Sequence, residues 1–254
     1  MVVAIGFLIA LGIGLTGVGG GVLTAPVLIL FLGLPASQSV GTSLIFVAGV
    51  KTLAVPVYLS RRQVDFRVLG RMLAGGVPGV LAGSLLLNRV DARGLSWLVP
   101  TVVGLTVVVS ASLNLLRLTL RFERPVPHES RWLLPLASAG IGLQVGFTSS
   151  GAGTLGTLLL LCFTPLAPAT VVGTDLLFGC VLSAVGGGFH FAGRSFRPEV
   201  LVRLLAGGAA GALAGAYLAA FLPTRALRIA LSLWLVGLGS QLCYRGLGAL
   251  ARGY

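Results

Sequence analysis

Gly14-Leu15-Thr16-Gly17-Val18-Gly19-Gly20-Gly21-Val22 and its echo Gly146-Phe147-Thr148-Ser149-Ser150-Gly151-Ala152-Gly153-Thr154 interrupt two long apolar runs, residues 2–33 and 132–164. Each run exceeds the ~20 residues that one straight helical crossing of a bilayer needs. Glycine weakens a helix interior by roughly 0.5–1 kcal/mol relative to alanine, so a run of glycines and hydroxyl residues marks a break. Each break is expected to be followed by a short helix, at 22–32 in one half and 154–163 in the other. The remaining apolar segments fall at 37–60, 68–88, 95–118, 169–192, 200–222 and 225–244, most of them one crossing long.

Composition sets the solvent. The 254 residues are 56% hydrophobic and 9% charged, whereas soluble domains carry roughly 25% charged residues. Such a surface belongs in lipid. The runs are helix-length and rich in Leu, Val, Ala and Gly, without the alternation of a membrane β-barrel. The fold class expected is therefore all-α polytopic. From Met1 the chain runs into apolar sequence without a basic lead, which reads as a first membrane segment rather than a cleaved signal.

The two breaks belong to an internal repeat. Thr148 follows Thr16 by 148 − 16 = 132 positions, and Gly41-Thr42-Ser43 meets Gly173-Thr174-Asp175 at the same offset. The ladder Gly75, Gly79, Gly83 recurs as Gly207, Gly211, Gly215. The expected organisation is a first transmembrane repeat at 1–122, a basic loop at 123–131 and a second repeat at 132–254, four segments each. Glycines four apart share a helix face and let another helix approach closely, so the ladders read as packing surfaces.

All but one of the eighteen basic residues are arginine, clustered between apolar runs as in Arg61, Arg62, Arg67 and Arg71. Such charges act as topology signals and offer no aromatic-lined face for nucleic acid, which is not expected as a partner. If each long run makes one net crossing, thirteen basic residues share one face; the chain then crosses eight times with both termini cytoplasmic. If the runs are re-entrant, the repeats are inverted and the bias nearly vanishes. Charge favours eight crossings. Cys162, Cys180 and Cys243 stand singly, with no metal-ligand spacing, so neither metal nor cofactor is expected.

A helix that starts inside the membrane points unsatisfied N–H groups and about half a positive charge at whatever lies ahead of it. Two such starts form a plausible oxyanion site, to which Thr16, Gly17, Gly19, Gly20, Thr148, Ser149, Ser150 and Gly151 would contribute amides or hydroxyls. Taken singly, these residues read equally as kinks and caps. Lys51 is the only lysine, placed within an apolar segment. An intramembrane cation marks a functional site by default, although snorkelling or pairing with Asp175 would also account for it. Asp175 replaces Ser43 of the first half and reads as a carrier of a coupling proton or as a counter-charge. Thr42, Ser43 and Thr174 are polar residues offered to a substrate, although for Thr42 and Thr174 taken alone hydrogen bonding between helices is the favoured reading; His190, near a segment end, is a proton-relay candidate where an interfacial histidine is the commoner case.

The GxTGxGGG-type break from Gly14 to Gly21, Ala25-Pro26 after it, Val40-Gly41-Thr42-Ser43, and the later Ser149–Gly153 and Val172-Gly173-Thr174-Asp175 resemble the sulfite exporter TauE/SafE family. The resemblance implies an inner-membrane transporter of bacteria or archaea. Its cargo would be small sulfur-containing anions: sulfite, sulfoacetate or other organosulfonates. A small anionic substrate and the lipid bilayer are then the expected partners, with oligomeric state open and a homodimer one option. Direction is expected to be export, with proton coupling through Asp175. An anion channel is the competing reading. A Ser150–His190 intramembrane hydrolase is a third, weakened by the lack of a supporting carboxylate or oxyanion partner; the chain is read as a non-enzyme.

Overall fold

The computed structural model describes residues 1–16, 20–93, 97–119, 132–218 and 224–251. Among these the chain is helical throughout: α1 (Val2–Thr16), α2 (Gly20–Phe31), α3 (Ala36–Ser60), α4 (Phe66–Ala92), α5 (Leu98–Thr119), α6 (Leu133–Thr148), α7 (Ala152–Phe163), α8 (Pro168–Ala192), α9 (Pro198–Leu218) and α10 (Thr224–Ala251). The basic loop expected at 123–131 lies outside the described residues.

Both long runs are two helices each. α1, α2, α6 and α7 have 15, 12, 16 and 12 residues, so at ~1.5 Å per residue they reach about 18–24 Å. That falls short of the ~30 Å hydrocarbon core. α3, α4, α5 and α8 are long and apolar enough to cross, and α9 and α10 have 21 and 28 residues.

Helix directions follow from the contacts of glycines, where backbones approach most closely. α4 lies parallel to α6: a Cβ on Gly75, Gly79 or Gly83 would meet the carbonyl of Pro135, Ala139 or Leu143. α9 lies parallel to α1 in the same way, Gly207, Gly211 and Gly215 facing the carbonyls of Val3, Phe7 and Leu11. The ladders are packing surfaces between halves. Every one of these partners is 132 positions from its counterpart.

α3 and α8 cross antiparallel at the centre, Gly41 facing His190, Ile45 facing Gly187, Lys51 facing Gly179 and Tyr58 facing Gly173. α5 and α10 are also antiparallel: Thr101 faces Gly246, and the Asn114 amide donates to Ser232 Oγ at 2.9 Å. Helices at matching positions of the two halves thus point in opposite directions.

The short helices turn back. Gly20 sits against Ile13 and Gly12 near Leu23, so α2 returns along α1; it then leads into the start of α3 while its first residue lies against Val47 in the middle of that helix. In the second half α6 shares its direction with α4. So does α8, whose Phe178 meets Gly76 and whose Gly186 meets Val80 and Ser84. α7 runs against α8, Ala152 lying beside Gly179 and Thr157 bonded to Asp175. Each half therefore opens with a helical hairpin whose tip stops midway, followed by long helices.

This corrects the eight-crossing expectation, in which each broken run made one net passage. With α3 and α8 antiparallel, the arginine-bearing turns at 61–65 and 193–197 lie at opposite faces, so the basic residues gathered on one face by charge counting are split between two. The cytoplasmic placement of both termini loses its basis with them.

Candidate functional site

The hairpin tips meet. A Cβ on Gly21, in the first turn of α2, would fall on the carbonyl oxygen of Ser149, at the tip of the other hairpin. No side chain fits there. Ser149 itself has φ 62° and Gly151 φ 110°, the left-handed region that few non-glycine residues adopt. The turn Ser149–Gly151 is what reverses the chain between α6 and α7 in so few residues.

α2 and α7 thus present their N-terminal ends to one place from opposite sides. Between them is a cavity with about 10 Å³ of space for water, lined by Gly20, Gly21, Val47, Lys51, Ser149, Gly151, Ala152, Gly153 and Ser183. That is enough for one water molecule. Lys51 and Ser183 lie near the middles of α3 and α8, far from the helix ends. The site is deep in the protein.

Val47 and Lys51 of α3 and Ser183 of α8 form part of its wall, each on a helical face that runs on beyond the cavity. α3 presents Ser43, Val47 and Lys51 at steps of four, and α8 presents Asp175, Gly179 and Ser183 at the same steps, each 132 positions later. Steps of four keep side chains on one face. Ser43 Oγ bonds Ser149 Oγ at 2.8 Å, tying α3 to the opposite hairpin tip. Lys51, only 6% exposed, crosses to α8 and brings Nζ to where a Cβ of Gly179 would be. Asp175, also buried, lies one turn along α8 from Gly179, against which Lys51 Nζ rests, and receives a 2.6 Å bond from the Thr157 hydroxyl.

Of the residues expected at a site, Gly20, Lys51, Ser149 and Gly151 line the cavity; Ser43 lies one helical turn from the lining Val47, and Asp175 two turns from the lining Ser183. Gly17 and Gly19 lie outside the described residues, as does the Thr16 side chain. Thr148 and Ser150 face another way. Their hydroxyls bond each other at 2.8 Å, and Ser150 reaches Thr106 on α5 at 3.1 Å. Thr42 and Thr174 serve the turns: their hydroxyls accept the backbone N–H of Arg197 at 3.1 Å and of Asp65 at 3.0 Å. Both turns belong to the opposite half. His190, fully buried against Gly41 two helical turns beyond Ser183, does not line the cavity. Neither of its ring nitrogens bonds Ser150, so the Ser–His pair is not assembled.

Ser183, Gly179, Gly156 and Thr157 were not singled out in the sequence. The 132-residue offset applied to Lys51 leads to Ser183; nothing comparable flags Thr157, whose counterpart is Ala25.

Comparison with known proteins agrees with this architecture of membrane helices. The chain is 25% identical over 227 residues to "Probable membrane transporter protein YjnA" of Bacillus subtilis, covering 85% of this chain and 89% of that one. It is 27% identical over 241 residues to "Probable membrane transporter protein YdhB" of the same organism, covering 92% and 95%. A "Probable membrane transporter protein" of Xylella fastidiosa is 31% identical over 108 residues, 42% of this chain and 41% of that one. No solved structure matches the chain. The model of the family "Sulfite exporter TauE/SafE" matches residues 2–242. A match over nearly the whole chain, on a bundle of apolar helices broken at two glycine-rich tips, places this protein in the TauE/SafE family of membrane transporters.

Proposed function

We propose that the chain is a secondary exporter of small sulfur-containing oxyanions, such as sulfite, sulfoacetate or another organosulfonate, acting in the inner membrane. The carrying observation is the convergence of two helix N-termini and the buried Lys51 on one central cavity. Each N-terminus contributes roughly half a positive charge and several free N–H groups, and a cation in a dry site adds a full one. An oxyanion answers all three.

The proposed binding set is Gly20, Gly21, Lys51, Ser149, Gly151, Ala152, Gly153 and Ser183, with Ser43 fixing Ser149 and Asp175 proposed to carry a coupling proton. We read the two halves as inverted copies of one five-helix unit. The matching bounds support this, since α2 and α7, and α3 and α8, begin and end 132 residues apart. Inverted repeats around a midplane site built from discontinuous helices are a recurring transporter design. The cavity is too small for a sulfonate, so loading requires the hairpin tips to part, which rocking of one half against the other would achieve.

Purified protein in liposomes is expected to move labelled sulfite or a sulfonate with saturation, and Lys51→Met to reduce that flux by about two orders of magnitude, as losing a buried charged partner does. Full flux in the variant would remove Lys51 from the site. Non-saturating, pore-like rates would favour a channel.

A further inference from the structure

The two halves are unequal where they meet the cavity. Asp175 and Gly179 take the places that Ser43 and Val47 hold in the first half, and Gly156 takes that of Thr24. Each change serves a charge. Removing the side chain at 179 opens the notch that receives Lys51 Nζ, beside Ala152 at the start of α7. Removing it at 156 opens the place of Asp175 Oδ1, which a Cβ there would strike. Thr157, on the next residue, bonds the other carboxylate oxygen at 2.6 Å. The acid is thus seated one helical turn along α8 from Gly179, where the Lys51 Nζ rests.

A charge tally follows. Lys51 and Asp175 cancel, and the two helix N-termini leave about one positive charge between them. We propose that Asp175, in the state in which it has released its proton, determines specificity by limiting the guest to one net negative charge. On the oxyanion reading given above, on which this rests, the proposed cargo narrows to monoanions, namely hydrogen sulfite or a sulfonate with no second charge, and the dianions sulfite, sulfoacetate and sulfate are excluded. A second negative charge would add to that of the Asp175 carboxylate, which lies behind the Lys51 ammonium in water-poor surroundings, where like charges are costly.

Methanesulfonate and sulfate are both tetrahedral about sulfur and differ by one charge and by a methyl group in place of an oxygen, so the effect of the charge is read from the change in their ratio on substitution of Asp175. Apparent affinities are obtained from the dose-dependent thermal stabilisation of the purified protein at neutral pH. The wild type is expected to prefer methanesulfonate, and Asp175→Asn to shift the ratio toward sulfate by about tenfold or more. Asp175→Ser, which copies the first half, carries the same expectation should Asp175→Asn not fold. A wild type that prefers sulfate, or an unchanged ratio in a folded variant, would overturn the proposal while leaving an oxyanion site standing. Stabilisation by neither anion would remove the oxyanion reading and this inference together.

Discussion

Gly79 and Gly70 lie on the same helix, α4, and a methyl group would meet opposite surroundings at the two. At Gly79 it would strike the carbonyl of Ala139 on α6; at Gly70 nothing lies within 4 Å. Gly79→Val is therefore expected to lower stability by about 1–3 kcal/mol, the usual cost of overpacking. Gly70→Ala should be neutral or stabilising by up to about 1 kcal/mol through helix propensity. Unfolding in detergent measures both, and equal effects would mean that α4 and α6 do not touch along the ladder. The ladders were readable as packing faces from spacing alone. Lys51 was readable too, since a lone lysine among arginines is anomalous. Thr42 and Thr174 were readable only as a choice between a guest and a bond between helices; the structure gives the second, each hydroxyl accepting a backbone N–H from a turn of the opposite half.

At the scale of elements, the breaks in the two long runs were legible and their direction was not. Hydropathy records that a run exceeds one crossing, and glycine records that it bends. Neither records whether the second piece continues or returns, because that is set by the backbone of a few residues such as Ser149 and Gly151. Charge misled for a related reason. Arginines cap helices at both faces of the protein, so a count that presumes the direction of each run inherits the presumption. The corrected directions have a sharp consequence. Arg62 and Arg194, in the turns after α3 and α8, lie at opposite ends of the helical bundle. With Cys162, Cys180 and Cys243 replaced, single cysteines at 62 and at 194 should react with an impermeant thiol reagent from opposite sides of sealed vesicles. Labelling of both from one side would restore the eight-crossing topology.

For the whole molecule, the lattice of contacts between halves is what makes a central site possible. α4 of the first half packs on α6, α9 of the second packs on α1, and α3 crosses α8. Each hairpin is thus held by a long helix of the other half, and both tips are delivered to the same depth. Separate breaks in the sequence become one pocket only through this exchange. The offset of 132 residues pointed to paired elements, but the pairing of Lys51 with Gly179 needed the antiparallel crossing, which no one-dimensional pattern contains. In the proposed transport cycle, moving one half would shift the hairpin it holds in the other.

Locating a bound oxyanion tests the site most directly. In crystals of the protein grown with selenite, whose selenium scatters anomalously, the strongest oxyanion peak is expected between the first turns of α2 and α7, within hydrogen-bond reach of Lys51 Nζ. A peak confined to the arginine-bearing turns at the membrane faces, with no density between the hairpin tips, would contradict it.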